Sequence, residues 1–123
     1  MILVDTSIWV EHLRKAHRHL IELLEAGEVL IHPMVIGELA CGTIPKREEV
    51  LSLLQELPSA PPATDQEMLL FIEEHRLMGR GIGYIDVHLL ASTVLAPGTR
   101  LWTADARLAT AASRLFVSYA PGR

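Results

Sequence analysis

Cysteine is nearly absent from this sequence of 123 residues. Cys41 is the single cysteine, which excludes a disulfide within the chain and fits a reducing compartment. We expect its side chain to be a small buried hydrophobic group. The N-terminus lacks a basic segment followed by a long apolar one, and no run of about 18 apolar residues occurs. The sequence therefore predicts a cytoplasmic protein without a membrane-spanning segment.

Positive charge is also scarce. The chain has 11 Lys and Arg against 15 Asp and Glu, which gives a formal net charge of −4 with neutral histidines. Generic binding to polyanions normally depends on clustered positive charge and is therefore excluded. The only basic cluster, at residues 12–19, could guide a nucleic acid, although a solvated helix junction is the favoured interpretation. If nucleic acid is the substrate, a metal ion held by acidic side chains is one way to bring phosphate to the site.

Apolar residues, in contrast, make up 50% of the chain, and charged residues make up only 21%. This length and composition fit a single domain over residues 1–123 with a continuous core. Short apolar runs without polar alternation predict strands that are buried on both faces. These strands cover residues 2–4, 29–31, 100–102 and 115–119. Because helical patterns alternate with them, we expect a parallel sheet covered by helices on both faces.

Helical spacing of apolar residues predicts seven helices between these strands. The first follows Asp5, the next three cover about 16–26, 33–42 and 45–57, and the fifth follows a cap at Asp65. The sixth begins at about 84, and the seventh ends at about 113. Three prolines in residues 58–62 forbid a central strand there and leave an edge strand or an extended connection. In the fifth helix, Met68, Leu69 and Ile72 are interpreted as core or as a dimer face.

Two aspartates follow predicted strands. Asp5 ends the first strand, and Asp105 lies just beyond the strand that ends at Trp102. In open α/β sheets the functional crevice lies at the carboxyl ends of the strands, so both side chains are expected there. For either aspartate alone, capping of the following helix is an equally good explanation.

Two further acids lie in apolar surroundings. Glu38 is within an apolar helical stretch, where an unpaired buried carboxylate would be costly. Its partner is either an arginine or a divalent cation shared with Asp5. Asp86 offers the same choice at the start of a strongly apolar helix, where N-terminal capping explains part of its presence. Converging carboxylates would raise one another's pKa values, and a hard cation such as Mg²⁺ would relieve that repulsion.

Four short segments together resemble the PIN-domain nucleases. They are Asp5-Thr6-Ser7 with Trp9, Val35-Ile36-Gly37-Glu38-Leu39, Gly83-Tyr84-Ile85-Asp86 with Leu90-Ala91, and Thr103-Ala104-Asp105. Their order and spacing, over essentially the whole chain, are most similar to a VapC-type toxin of a type II toxin–antitoxin pair. The resemblance implies a three-layer α/β/α sandwich, a homodimer or a larger toxin–antitoxin assembly, and RNA cleavage that a cognate antitoxin inhibits. It also implies Mg²⁺ or Mn²⁺ as the cofactor, acting through a metal-activated water.

The resemblance assigns roles to individual residues. The acidic set that would bind metal and catalyse cleavage is Asp5, Glu38, Asp86 and Asp105. Three neighbouring hydroxyl residues would orient these acids or a water, or else serve as ordinary caps: Thr6, Ser7 and Thr103.

Other positions are less specific. Arg80, in the glycine loop 79–83, would contact RNA or the antitoxin, or remain a solvated loop arginine. The chain departs from the family pattern at the Pro-rich segment around Pro61. It also departs at Ala106-Arg107, which supplies no further acid and leaves the occupancy of a second metal site open.

Two other functions remain open at this point. In an aspartate-centred phosphatase or a phosphotransfer domain, Asp5 would also end the first strand. The chain lacks the second aspartate of the phosphatase pattern and has no lysine after Lys46 for a phosphotransfer site. A catalytically inactive PIN-like scaffold or antitoxin-binding module would not need all four acids. Trp9 and Trp102 flank the site and could stack on bases, although buried packing is favoured.

Overall fold

Three parallel strands form the centre of the fold in the computed structural model, which describes residues 1–121. The strands are β1 (Ile2–Val4), β2 (Val29–Leu30) and β3 (Arg100–Trp102), arranged in the order β2-β1-β3. Every residue of the middle strand, β1, is buried, which explains its apolar side chains without polar alternation. The last two residues of the predicted domain 1–123 lie outside the described residues.

Seven helices among the described residues surround the sheet. They are α1 (Thr6–Arg14), α2 (Arg18–Glu25), α3 (Pro33–Cys41), α4 (Arg47–Gln55), α5 (Asp65–Glu74), α6 (Tyr84–Leu95) and α7 (Ala106–Arg114). The prediction of an α/β/α sandwich with a central parallel sheet is confirmed. None of the helices in residues 1–121 has both the length and the apolar content needed to cross a membrane.

The cap of α5 differs from the prediction. Thr64, and not Asp65, is the N-cap: its hydroxyl accepts a hydrogen bond from the Glu67 backbone at 3.1 Å. The Glu67 carboxylate in turn accepts one from the Thr64 amide at 2.9 Å. This reciprocal capping box satisfies two helix amides, which a cap at Asp65 would not do. Asp65 is thereby moved into the exposed first turn of the helix.

Two isolated parallel bridges extend the sheet at its edges. Ile31 pairs with Ser59 in the Pro-rich segment, so the edge position considered for that segment is confirmed. At the other edge, Leu101 pairs with Ser118 alone, and the predicted strand 115–119 is wrong in length. The reason is that α7 continues to Arg114 and Phe116 then adopts a left-handed φ of 61°. Extended pairing therefore cannot begin before Val117.

A buried contact in the core connects α3 and α6, two helices that matter for the site. Helix α6 is buried from Val87 to Thr93. At the start of α3, the buried His32 ring accepts a hydrogen bond from the Met34 amide at 3.0 Å through Nδ1. Its Nε2 lies 2.9 Å from the hydroxyl of Ser92 on α6. Burial, together with the neighbouring His88, lowers the pKa of His32 to about 4, so the ring links α3 to α6 in its neutral form.

Three predictions on burial have different outcomes. Trp9 and Trp102 are both buried, as favoured. Met68 is buried, whereas Leu69 is 65% exposed. Cys41 is exposed, so the prediction of a buried side chain is wrong. The helix period explains this, because Cys41 lies two residues beyond the buried Leu39 and thus on another side of α3.

Candidate active site

The candidate acids lie at the edge of the sheet that the carboxyl ends of its strands form. Asp5 directly follows β1, and Asp105 follows β3 after two intervening residues. Since β1 and β3 are parallel neighbours, their carboxyl ends share this edge. Both aspartates are also N-caps: Asp5 Oδ1 accepts from the Thr6 amide at 2.7 Å and Asp105 Oδ1 accepts from the Leu108 amide at 2.9 Å. Capping and a position at the crevice therefore coexist.

Asp5 is the most deeply buried of the four acids. Its side chain is 3% exposed, so its carboxylate depends on hydrogen bonds in place of water. Oδ2 accepts from the hydroxyl of Ser7 at 2.8 Å and from the hydroxyl of Thr103 at 2.7 Å. Together with the Thr6 amide, these donors fix both oxygens. A carboxylate has about four acceptor positions, so Oδ1 retains capacity for one further contact.

The same two hydroxyls anchor the loop between β3 and α7. Ser7 Oγ accepts a hydrogen bond from the Ala104 amide at 3.0 Å, and Thr103 Oγ1 accepts one from the Asp105 amide at 3.0 Å. Each hydroxyl thus donates to Asp5 and accepts from the loop. The position of Asp105 relative to Asp5 is consequently set by hydrogen bonds and not by strand pairing alone.

Glu38 reaches the edge from α3, the helix that follows β2. Its Oε1 accepts a hydrogen bond from the hydroxyl of Thr6 at 2.6 Å. A salt bridge to an arginine was one of the two expected partners, and the structure gives this carboxylate a neutral hydroxyl instead. Because the Thr6 amide binds Asp5 while the Thr6 hydroxyl binds Glu38, one residue orients two of the acids.

The surroundings of Asp86 disturb its ionisation. Asp86 lies in the first turn of α6, whose N-cap residue is Gly83 and thus has no side chain to cap the helix. Burial, and to a lesser degree the negative charges of Asp5, Asp105 and Glu38, raise the pKa of Asp86 from its ordinary value of 3.8 to about 6. The charges of the other three acids therefore reach Asp86.

The chemistry of these four side chains fits a hard divalent cation. The hydrogen bonds to Asp5, Glu38 and Asp105 come from hydroxyls and backbone amides, which leave the negative charge in place. In residues 1–121, no group of three or more His, Cys, Asp or Glu side chains is arranged to hold one ion directly. Mg²⁺ usually retains several waters and needs only one or two direct carboxylates. The residues present thus fit an ion held partly through water.

The basic residues considered from the sequence lie outside this acidic cluster. Arg80 is exposed in its glycine loop, where Nε donates to the Arg76 carbonyl at 2.7 Å. The cluster at residues 12–19 borders a separate cavity of about 710 Å³, which Glu11 and Glu22 also line. Two arginines that sequence reasoning missed, Arg107 and Arg114, face Arg80 across another cavity. Their spacing of seven residues, which puts them on one face of α7, was the available signal.

Replacing Asp86 by asparagine should stabilise the metal-free protein in a pH-dependent way. With a folded-state pKa near 6 against an ordinary value of 3.8, the folded chain binds the Asp86 proton more tightly than the unfolded chain does. Ionisation of Asp86 therefore costs stability as the pH rises between these values, and the full penalty is present above pH 6. Asparagine stays neutral and avoids it.

Urea unfolding at pH 4 to 8 in EDTA measures this difference. The free energy of unfolding of Asp86→Asn should match that of the natural chain near pH 4 and exceed it increasingly up to about pH 6. Asp65→Asn, the same change at the exposed start of α5, should give no such growing advantage. Equal pH dependence of the Asp86→Asn and natural chains would contradict the electrostatic description of the site.

Comparison with known proteins identifies the family of the chain. The chain matches the PIN domain family over residues 2–114. It is 49% identical over 120 residues to Ribonuclease VapC32 of Mycobacterium tuberculosis strain CDC 1551 / Oshkosh. The same identity holds for the protein of that name in strain ATCC 25618 / H37Rv, and each alignment covers 98% of this chain and 97% of the relative. The chain therefore belongs to the PIN domain family.

Proposed function

We propose that this chain is a VapC-type toxin, a metal-dependent endoribonuclease that hydrolyses RNA phosphodiester bonds and is inhibited by a cognate antitoxin. The observation that carries the proposal is the convergence of four carboxylates from separate segments on one edge of the sheet, where they disturb the ionisation of Asp86. The family and the ribonuclease name of the similar proteins support the reaction class. We further propose that residues 1–123 act as one PIN domain in the cytoplasm.

Mg²⁺ or Mn²⁺ is the proposed cofactor. Asp5, Glu38 and Asp86 would hold the principal ion, directly or through waters, while Asp105 would complete the rim or bind a second ion. When bound, such an ion lowers the pKa of an attacking water and stabilises negative charge on the phosphate and the leaving oxygen. By analogy with the family, the products would carry 5′-phosphate and 3′-hydroxyl ends.

The chain's own contribution is to hold the acids in a fixed orientation. Ser7 and Thr103 keep the Asp5 carboxylate aimed, and Thr6 joins it to Glu38. Hydrogen bonds of this kind orient metal-binding carboxylates and strengthen metal binding in other proteins. Glu38 and Asp86 are only partly buried and Asp105 is exposed, so substrate can approach the cluster from the solvent side.

Homodimerisation is a separate part of the proposal. Leu69 and Leu70 on α5 are 65% and 63% exposed, which is unusual for adjacent leucines on a helix and fits a face that a second copy covers. The dimer face considered for this helix from the sequence thus gains support at Leu69, while Met68 belongs to the core. A larger assembly with the antitoxin is compatible with such a dimer.

An inactive scaffold that only binds an antitoxin is the main alternative. It would have no need to bring four carboxylates together against their mutual repulsion. A ligand that prefers the folded state raises apparent stability, so Mn²⁺ should raise the melting temperature of this chain. A scaffold would show neither that rise nor RNA cleavage. An aspartate-centred phosphotransfer domain would instead form a phosphoaspartate that can be trapped.

Asp5→Asn should abolish metal-dependent RNA cleavage, by at least about 100-fold, because it removes the charge of the most rigidly held acid. Folding should be nearly unaffected, since asparagine is as good an N-cap as aspartate. Cleavage of a radiolabelled RNA in Mn²⁺, with circular dichroism of both proteins, tests this. Asp65→Asn changes the only aspartate outside the cluster and should cleave normally. Undiminished cleavage by nuclease-free Asp5→Asn would refute the assignment.

Thr6→Val should raise the Mn²⁺ concentration needed for half-maximal cleavage by about tenfold, which is the lower end of the effect of such orienting residues. Valine keeps the shape of threonine and the backbone amide that binds Asp5, but it loses the hydroxyl that binds Glu38. Thr6→Ser restores that hydroxyl and should restore the Mn²⁺ dependence. If valine and serine variants gave the same Mn²⁺ titration as the natural chain, Thr6 would have no orienting role.

A further inference from the structure

A cavity of about 260 Å³ lies between α7 and the glycine loop 79–83, outside the acidic cluster. Arg80, Arg107 and Arg114 line it, together with Ile82 and Thr110. Among its described lining residues there is no carboxylate. In a chain with a net charge of −4, three arginines around one small cavity form a local concentration of positive charge.

The arginines on α7 form a row. Thr110 follows Arg107 by three residues and Arg114 follows it by seven. All three residues therefore lie on one face of the helix. At a rise of 1.5 Å per residue, the row from Arg107 to Arg114 spans about 10 Å. A row of this length suits a chain of successive anionic groups better than one small anion.

Backbone groups at Gly81 and Arg76 hold two of the three guanidinium groups in place. Gly81 has a φ of +74°, and a Cβ built on it would lie 2.5 Å from Arg107 Nη1 and 3.1 Å from Arg107 Cζ. The Arg107 guanidinium thus packs directly on the Gly81 backbone, and a side chain at Gly81 would displace it. Arg80 uses only Nε in its hydrogen bond to the Arg76 carbonyl. Most of its five N–H donors remain available for a ligand.

Both segments that form this cavity continue directly into the acidic cluster. The loop ends at Gly83, the N-cap of the helix that carries Asp86 in its first turn. On the other side, Ala106 lines the cavity and directly follows Asp105. A polymer with one linkage at the acids would therefore place neighbouring groups beside the arginines.

We propose that this cavity binds backbone phosphates of the RNA next to the bond that is cleaved, with Arg80, Arg107 and Arg114 as the phosphate ligands. This inference rests on the proposed ribonuclease function. Guanidinium groups bind phosphate oxygens through paired, charge-assisted hydrogen bonds. Phosphate contacts position a nucleic acid without reading its sequence, so the cavity would hold the strand in register over the acids.

The competing basic cavity at residues 12–19 is less suited to this role. Its exposed cations, Arg14, Lys15 and Arg18, share the lining with Glu11 and Glu22. The two carboxylates offset most of the permanent positive charge there. The arginine cavity has no such offset among its described lining residues.

Binding of a fluorescein-labelled single-stranded RNA 12-mer to Asp5→Asn protein, at 50 to 200 mM salt, tests the proposal. In that background, Arg107→Gln and Arg114→Gln should each weaken binding by about tenfold, as expected for loss of a charge-assisted hydrogen bond. Each should also reduce the slope of log affinity against log salt by about 0.7. Arg114→Lys keeps the charge and should keep the slope.

Arg100→Gln is the matched control, because this exposed arginine begins β3 at the opposite end of the strand from the acids. It should bind RNA with the affinity and salt slope of the Asp5→Asn parent. Melting temperatures identify any variant that fails to fold, and the exposed Arg114 provides a test that is independent of the packing of Arg107 on Gly81.

The outcomes separate this site from the proposed function. If chains with Asp5 intact cleave RNA but the arginine variants bind with unchanged affinity and slope, the phosphate site is refuted and the ribonuclease proposal stands. If RNA binding falls as expected but the natural chain cleaves no RNA in Mn²⁺, the cavity binds RNA phosphates, while the ribonuclease proposal and the position beside a cleaved bond are refuted. Binding of poly-glutamate to the same variants tests the other class of ligand. If the arginine variants bind RNA as the parent does but lose affinity for poly-glutamate, the RNA site is refuted and the cavity is assigned to an acidic polypeptide.

Discussion

The buried carboxylate of Asp5 is the constraint on which the site depends. A carboxylate that is 3% exposed must replace its lost water with hydrogen bonds. The donors come from the first turn of α1 and from Thr103 after β3. Satisfying this one group therefore joins β1, α1 and the β3–α7 loop. The other acids are positioned relative to it, Glu38 through Thr6 and Asp105 through the loop that Ser7 and Thr103 anchor.

A second feature of the site is a concentration of negative charge that the neighbouring groups do not neutralise. The hydroxyls and amides orient the acids without neutralising them, and the raised pKa of Asp86, caused by burial and by the other acids, reflects this. Two divalent ions would formally bring the net charge of −4 to zero, and one would leave −2. Acidity is therefore compatible with an RNA substrate. Metal ions bound by the acids would attract phosphate, and so would the arginines beside the acids.

The parts of the fold that depend on local pattern could be predicted from the sequence. Asp5 and Asp105 follow short apolar runs, and the carboxyl ends of parallel strands must meet at one edge, so their proximity followed from chain order. Features set by competition between neighbouring interactions could not. Thr64 displaces Asp65 as a cap because Glu67 completes a reciprocal pair, and the left-handed turn at Phe116 shortens the last strand. The arginine cavity was missed because Arg80 and Arg107 meet only through the tertiary fold.

The central claim is that Asp5, Glu38, Asp86 and Asp105 together bind a divalent cation. Anomalous X-ray diffraction at the manganese edge, from crystals of the full chain grown with Mn²⁺, tests it most directly. We predict one or two anomalous peaks among these four carboxylates, contacting at least one of them directly and the others directly or through water. At saturating Mn²⁺, the absence of any peak, or peaks only elsewhere on the protein, would contradict the claim.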